Sequence, residues 1–158
     1  MIDQSKQNKL QTLTERMSNE LTYELAKNAN LVPGEGNLDT EVLFIGEAPG
    51  ADEDRLRRPF IGRSGQLLRV NIRKLGWKEE DVYITNIVKH RPPENRDPTA
   101  EEIAIYTPWL QGQIDIINPK VIITLGRFSM DFVLGKGLII SQIHGQQQVK
   151  NERVVIPM

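Results

Sequence analysis

Leu10, Leu13, Met17, Leu21 and Leu25 recur at three- and four-residue spacing, which places them on one helical face. The pattern predicts one amphipathic helix over residues 5–28, closed by the turn-forming run Val32-Pro33-Gly34-Glu35-Gly36-Asn37. Four short, nearly continuous apolar runs rich in β-branched residues follow, at 41–45, 82–86, 120–125 and 153–157. Runs of that kind suit strands buried on both faces of a parallel sheet. Helical periodicity lies between them, at 65–75, 99–117 and 127–134. Asp97-Pro98-Thr99 followed by Glu101-Glu102 reads as a helix start, and Asn118-Pro119 as a helix stop. Strands alternating with helices predict an α/β sandwich with right-handed crossovers. In such sheets ligands bind beyond the carboxyl ends of the strands, so the segments after the first two strands are the place to seek chemistry.

Composition narrows that chemistry. The 158 residues suffice for one domain with a real core. Cysteine is absent, which excludes disulfides, a thiol nucleophile, a cysteine-held iron–sulfur cluster and cysteine-ligated zinc, and two histidines make a histidine-rich metal site a poor fit. Hydrophobic residues at 39% and charged residues at 26% describe a globular chain rather than a disordered or membrane one. No segment approaches the roughly 18 uninterrupted apolar residues of a membrane-spanning helix. The polar N-terminus has no secretion-signal pattern, and the expectation is a cytoplasmic protein. A formal net charge of −1 excludes a histone-like protein but not a nucleic-acid binder, because basic residues cluster locally. Arg55, Arg57, Arg58, Arg63, Arg69, Arg73 and Lys74 form one group, and Lys89, Arg91 and Arg96 another. Together they would line a positive face suited to phosphates; pairing of the first group with Asp52, Glu53 and Asp54 is the competing reading.

Three segments carry candidate site residues. Gly46-Glu47-Ala48-Pro49-Gly50 is either a plain rigid turn or a turn that aims backbone amides and the Glu47 carboxylate into a pocket. Phe60, held between Pro59 and Gly62 outside any periodic element, either plugs the domain edge or stacks on a flat ligand. Ser64 is placed to cap the following helix, whose first amides would suit a phosphate. Asn86 at a strand exit is either a turn residue or a planar donor–acceptor pair matching a uracil edge.

Taken in order and spacing, GEAPGADED, RPFIGRSGQLL, VYITNIVKHRPPENRDP and INPKVIITLGR resemble the family 4 uracil-DNA glycosylases over residues 34–158. The resemblance implies a single three-layer α/β/α domain around a central four-stranded parallel sheet, with the helix at 5–28 packed on it. It implies hydrolysis of the bond joining uracil to deoxyribose in single- or double-stranded DNA, release of free uracil, and action as a monomer without a membrane partner, a metal or a cofactor in the chemistry. Carried over, Glu47 and Asn86 are catalytic; Ala48, Phe60 and Asn86 bind uracil; Glu53 and Asn95 tie the first motif loop to the second; and Arg63, Ser64, Lys89 and Arg91 contact DNA phosphates. A uracil-binding module on the same fold that does not cut is the alternative.

The sequence departs from that family at two places. Its members typically hold a [4Fe–4S] cluster on four cysteines, and the corresponding positions are Asn19, Thr22, His90 and Tyr106. The cluster cannot form, and the leucine stripe is expected to hold the N-terminal helix instead. The family's third motif, a His-Pro loop, belongs directly after the strand that ends the sequence at Met158, so the chain is expected to be short of that loop. His144, before the last strand, is not a substitute.

Overall fold

A computed structural model describes residues 3–158. Its centre is a sheet of order β1-β3-β2-β4-β6-β5, built from β1 (Glu35–Gly36), β2 (Val42–Gly46), β3 (Tyr83–Asn86), β4 (Val121–Thr124), β5 (Gln148–Lys150) and β6 (Arg153–Pro157). The four predicted strands are the parallel ones, β3-β2-β4-β6. The expectation of four strands falls short by two, because β1 and β5 add on antiparallel at the edges. Two- and three-residue strands leave too short an alternation to be read from sequence.

Strand alternation sorts the core into two layers. Leu43, Tyr83, Ile122 and Val155 lie in one row across β2, β3, β4 and β6, while Phe44 stands in the next row with Ile84 and Ile123. Leu43, Tyr83 and Ile122 of the first row pack with Leu110, Ile114 and Ile117 of α5 (Ala100–Ile117), with Leu10 of α1 (Gln4–Glu20) and with Phe128 and Phe132 of α6 (Arg127–Leu134). The second packs with Leu68 and Ile72 of α4 (Arg63–Lys74) and with Trp77. The outcome is a helix–sheet–helix sandwich.

The single helix expected over 5–28 is two. The α1 backbone turns extended at Leu21, and α2 (Glu24–Asn28) starts after Tyr23. Met17 and Leu25, both buried, thus enter the core from different helices. Leu13 of α1 sits so near α5 that a Cβ on Gly112 would lie 3.1 Å from its Cδ2. The α5 start follows sequence chemistry closely: Thr99 Oγ1 accepts from the Glu102 amide at 3.1 Å, and the Glu102 carboxylate accepts from the Thr99 amide at 2.9 Å. Arg96 grips that carboxylate with both Nη atoms, at 2.7 and 2.9 Å. The helix ends at Asn118 in the left-handed conformation, ahead of Pro119.

Also unforeseen are α3 (Ala51–Leu56), directly after the first motif turn, and α7 (Ile140–Ile143). No helix among the described residues is long and apolar enough to cross a membrane. The chain leaves β2 for β3 on one side and returns to β4 on the other, which opens a crevice at the carboxyl end of β2.

Candidate active site

At that carboxyl end lies a cavity of about 1000 Å³, walled by the 47–50 turn, α3, the Phe60 loop, the start of α4, Asn86 and the 92–96 turn. Its floor is set by register: Gly46, last in β2, pairs with Asn86, last in β3. A Cβ on Gly46 would stand 2.2 Å from Phe60 Cζ and 2.5 Å from Asn86 Oδ1. The aromatic ring and the carboxamide therefore converge over a residue that has no side chain to keep them apart. Asn86 is 3% exposed, and its carboxamide has no hydrogen-bond partner among the described residues. An unpaired donor–acceptor edge that reaches the cavity beside an aromatic ring is a slot for a planar polar ligand.

The Phe60 loop is held from both sides. Glu53 of α3, a buried carboxylate, accepts from the Gly62 amide at 3.0 Å and the Ile61 amide at 3.2 Å. Arg69 of α4 donates to the carbonyls of Phe60 at 2.8 Å and Pro59 at 2.7 Å. Phe60 adopts a positive φ of 51°, a conformation costly for an aromatic residue unless its surroundings fix it. Gly65 permits that arrangement, since a Cβ there would fall 2.0 Å from the Phe60 carbonyl carbon.

Glu47 stands in the turn above the slot. Burial pushes its carboxyl above the ordinary range, the adjacent Asp97 adds to the rise through its charge and a hydrogen bond, and Arg127 partly opposes it. Asp97 and Arg127 are the residues that sequence reasoning missed. Asp97 was legible only as part of a helix start, and Arg127 as the tail of the fourth motif.

Residues 33–158 match the Uracil DNA glycosylase superfamily. The chain belongs to that superfamily. It is similar to a Type-4 uracil-DNA glycosylase of Thermotoga maritima, 51% identical over 117 residues, which is 73% of this chain and 61% of that protein. A Type-4 enzyme of Sulfurisphaera tokodaii is 52% identical over 108 residues, 68% of this chain and 49% of that protein. A Type-5 uracil-DNA glycosylase of Pyrobaculum aerophilum is 32% identical over 118 residues, 65% of this chain and 52% of that protein. The chain spans about half to three-fifths of the length of these relatives.

For this superfamily member, Glu47, Ala48, Glu53, Phe60, Arg63, Ser64, Asn86 and Asn95 all line the one cavity. Two expected roles fail on geometry, a phosphate contact by Lys89 and a helix cap by Ser64. Lys89 is fully buried and has no surface to offer a phosphate. Arg91 spends its Nε–H on Asn95 Oδ1 at 2.7 Å and does not line the cavity. Asn95 thus braces its own turn, while Glu53 joins its segment, GEAPGADED, to the Phe60 loop through the Ile61 and Gly62 amides; no bond links Glu53 to Asn95 among the described residues. Ser64 does not cap α4; that position belongs to Gly62, leaving Ser64 in the first turn.

The basic groups are also largely spent. Arg55 pairs with Asp52; Arg58 and Arg69 share Glu35; Arg69 and Arg73 share Glu79. Although burial alone would raise it, Glu35 is held below its ordinary range by the two arginines. Of the seven basic residues in the first cluster, Arg63 is the one left free of an ion pair and facing the cavity among the described residues.

The donor set for an iron–sulfur cluster does not fit. His90 Nδ1 and the Tyr106 hydroxyl bond each other at 2.6 Å in a buried pair, while Asn19 and Thr22 are exposed. None of the four offers a thiolate. Burial lowers the His90 pKa to about 4 despite the charge of Asp54 and raises that of Tyr106.

Proposed function

We propose that the chain carries the base-binding core of a uracil-DNA glycosylase, a cytoplasmic monomer that hydrolyses the N-glycosidic bond of deoxyuridine in DNA. The observation that supports it most is the convergence of the Phe60 ring and the unpaired Asn86 carboxamide over Gly46. Uracil would leave the helix stack and enter the cavity, its face on Phe60 and its O4 and N3–H against Asn86. Backbone amides around Ala48 would receive a uracil oxygen, and those of Arg63 and Ser64 at the α4 start would receive a flanking phosphate together with the Arg63 guanidinium.

Bond cleavage develops positive charge on the sugar and negative charge on the departing base. Glu47, once ionised, stabilises the oxocarbenium-like sugar or orients the attacking water. The amides at Ala48 meet the anion without reorganising. The test is uracil release from a duplex with one dU:dG pair by the full-length protein; absence of release ends this reading. Asn86→Ala should abolish most of the activity in a protein that still folds, and an unaffected variant rejects the role given to Asn86.

A further inference from the structure

Lys89 lies three residues beyond Asn86, 0% exposed, with no carboxylate bonded to it among the described residues. Its Nζ has three partners, each at 2.6 Å: Thr85 Oγ1, the Asn86 main-chain oxygen and Gln113 Oε1. Counting protons favours the ammonium form of the lysine. The Asn86 and Gln113 oxygens only accept. The Thr85 hydroxyl has the Pro33 carbonyl at 2.8 Å and Gln113 Oε1 at 3.3 Å as acceptors, and with its one proton on the nearer of these it presents a lone pair to the lysine. Gln113 donates its amide hydrogen to the same carbonyl at 2.7 Å, which fixes Oε1 toward Nζ. Three acceptors thus surround three N–H bonds, the complement of an ammonium ion. A neutral amine could be met only by the Thr85 hydroxyl, which would then give up the Pro33 carbonyl. Burial works against the charge, pushing the Lys89 pKa well below that of an ordinary lysine, and the three short bonds are what can offset it.

The same segment is stitched to its surroundings by main-chain bonds. Ile87 and Val88 donate to the carbonyls of Gly46 and Glu47, both at 3.0 Å, and Lys89 accepts from the Val32 amide at 2.8 Å. The ammonium therefore sits at the junction of β3, the Glu47 turn, α5 and the Val32–Pro33 segment, one peptide behind the base slot.

We propose that Lys89 is a positioning residue of the site: a buried ammonium ion that pins the Asn86 main chain so that its carboxamide meets the base in one place. The proposal rests on the glycosylase reading above. Because the charge lies where water is excluded, it also favours a base departing as an anion over the neutral base that first binds. That difference separates it from a purely structural clamp, which would weaken binding and cleavage alike.

The experiment uses the full-length protein, Lys89→Met and DNA with a single deoxyuridine. Single-turnover release is measured on that DNA, and affinity on the same DNA carrying 2′-fluorodeoxyuridine, which resists cleavage. Release is expected to fall 30-fold or more while affinity changes less than threefold. Release within threefold of wild type, or a fall in rate matched by an equal fall in affinity, overturns the proposal. Should Lys89→Met not fold, Gln113→Leu removes one acceptor and leaves the lysine in place; a tenfold slower release at unchanged affinity supports the proposal, and an unchanged rate overturns it. Nitrogen-15 spectra of lysine-labelled wild type supply a readout independent of activity. An ammonium resonance from a slowly exchanging Nζ is expected at neutral pH, and an amine resonance overturns the proposal. A wild-type protein that releases no uracil defeats the glycosylase reading and with it the role in catalysis, whereas a cleaving wild type with an indifferent Lys89→Met defeats the Lys89 role alone.

Discussion

Gly46→Ala puts the base slot to its most direct test. Gly46 keeps a strand conformation that alanine can adopt, so the backbone itself does not resist the change. What resists is the space: the new methyl group would stand 2.2 Å from Phe60 Cζ, 2.8 Å from Phe60 Cε2 and 2.5 Å from Asn86 Oδ1. Ordinary contact begins at 3.4 Å, so the ring must retreat by about 1.2 Å and the carboxamide by about 0.9 Å. Neither backbone can follow, because Glu53 and Arg69 pin the Phe60 loop and Asn86 is fixed in the β3 ladder, so ring and carboxamide must swing into the cavity that the base would fill. Overpacking of this kind costs about 1–3 kcal/mol of stability, which a domain of this size survives. Misplacing a reacting group by about 1 Å costs roughly 100-fold in rate. The expected result is a folded variant with uracil release slowed about 100-fold, read by single-turnover release alongside thermal unfolding. A double-mutant cycle with Phe60→Ala supplies the control, since removing the ring should relieve part of the Gly46→Ala defect. Release within threefold of wild type, or strict additivity of the two substitutions, would refute the claim that ring and carboxamide define the slot.

Glu53→Gln keeps the shape but gives up the charged acceptor of the Ile61 and Gly62 amides, so release should slow about tenfold and those amides should exchange faster with deuterium; unchanged exchange contradicts the bracing role. The proposed mechanism needs Glu47 ionised, and its raised pKa means that protonation begins at a higher pH than for an ordinary carboxylate. The acid limb of the pH–rate profile should therefore shift to lower pH in Asp97→Asn, and a limb that stays put excludes Asp97 as a cause. His90 has a folded pKa of about 4, below the unfolded value near 6.5. Between those values the unfolded chain binds the extra proton, so stability is full above pH 6.5 and declines toward pH 4. Denaturant unfolding at several pH values should show His90→Gln losing that part of the slope; an identical slope in the variant refutes it.

Much of this site could be read before any coordinates. The four parallel strands follow from apolar runs bounded by turn residues and α6 from helical periodicity, while Phe60 stands out because no periodicity explains it and Asn86 because it ends a strand. What stayed hidden depends on contacts between residues far apart in the chain. Arg58 and Arg69 look like a DNA-facing patch until Glu35, more than twenty residues earlier, comes to lie between them. Lys89 reads as a surface cation because lysine is rarely buried, and only Thr85 and Gln113 together reveal why this one is. The break at Leu21–Tyr23 is likewise decided by where the core lies, since the leucine spacing runs across it without a fault.

The two short antiparallel strands bear on how copies of the protein meet in solution. Parallel strands such as β3 and β6 would expose unpaired N–H and C=O groups along their outer edges, a template on which another chain could build. The two residues of β1 and the three of β5 occupy those edges, and β5 closes with Lys150 next to the exposed Val149. An incoming strand finds a brief ladder and a charge where it would need a long flat one. The molecule thereby carries its own protection against edge-to-edge aggregation, placed at the two margins of the sheet and away from its central crevice.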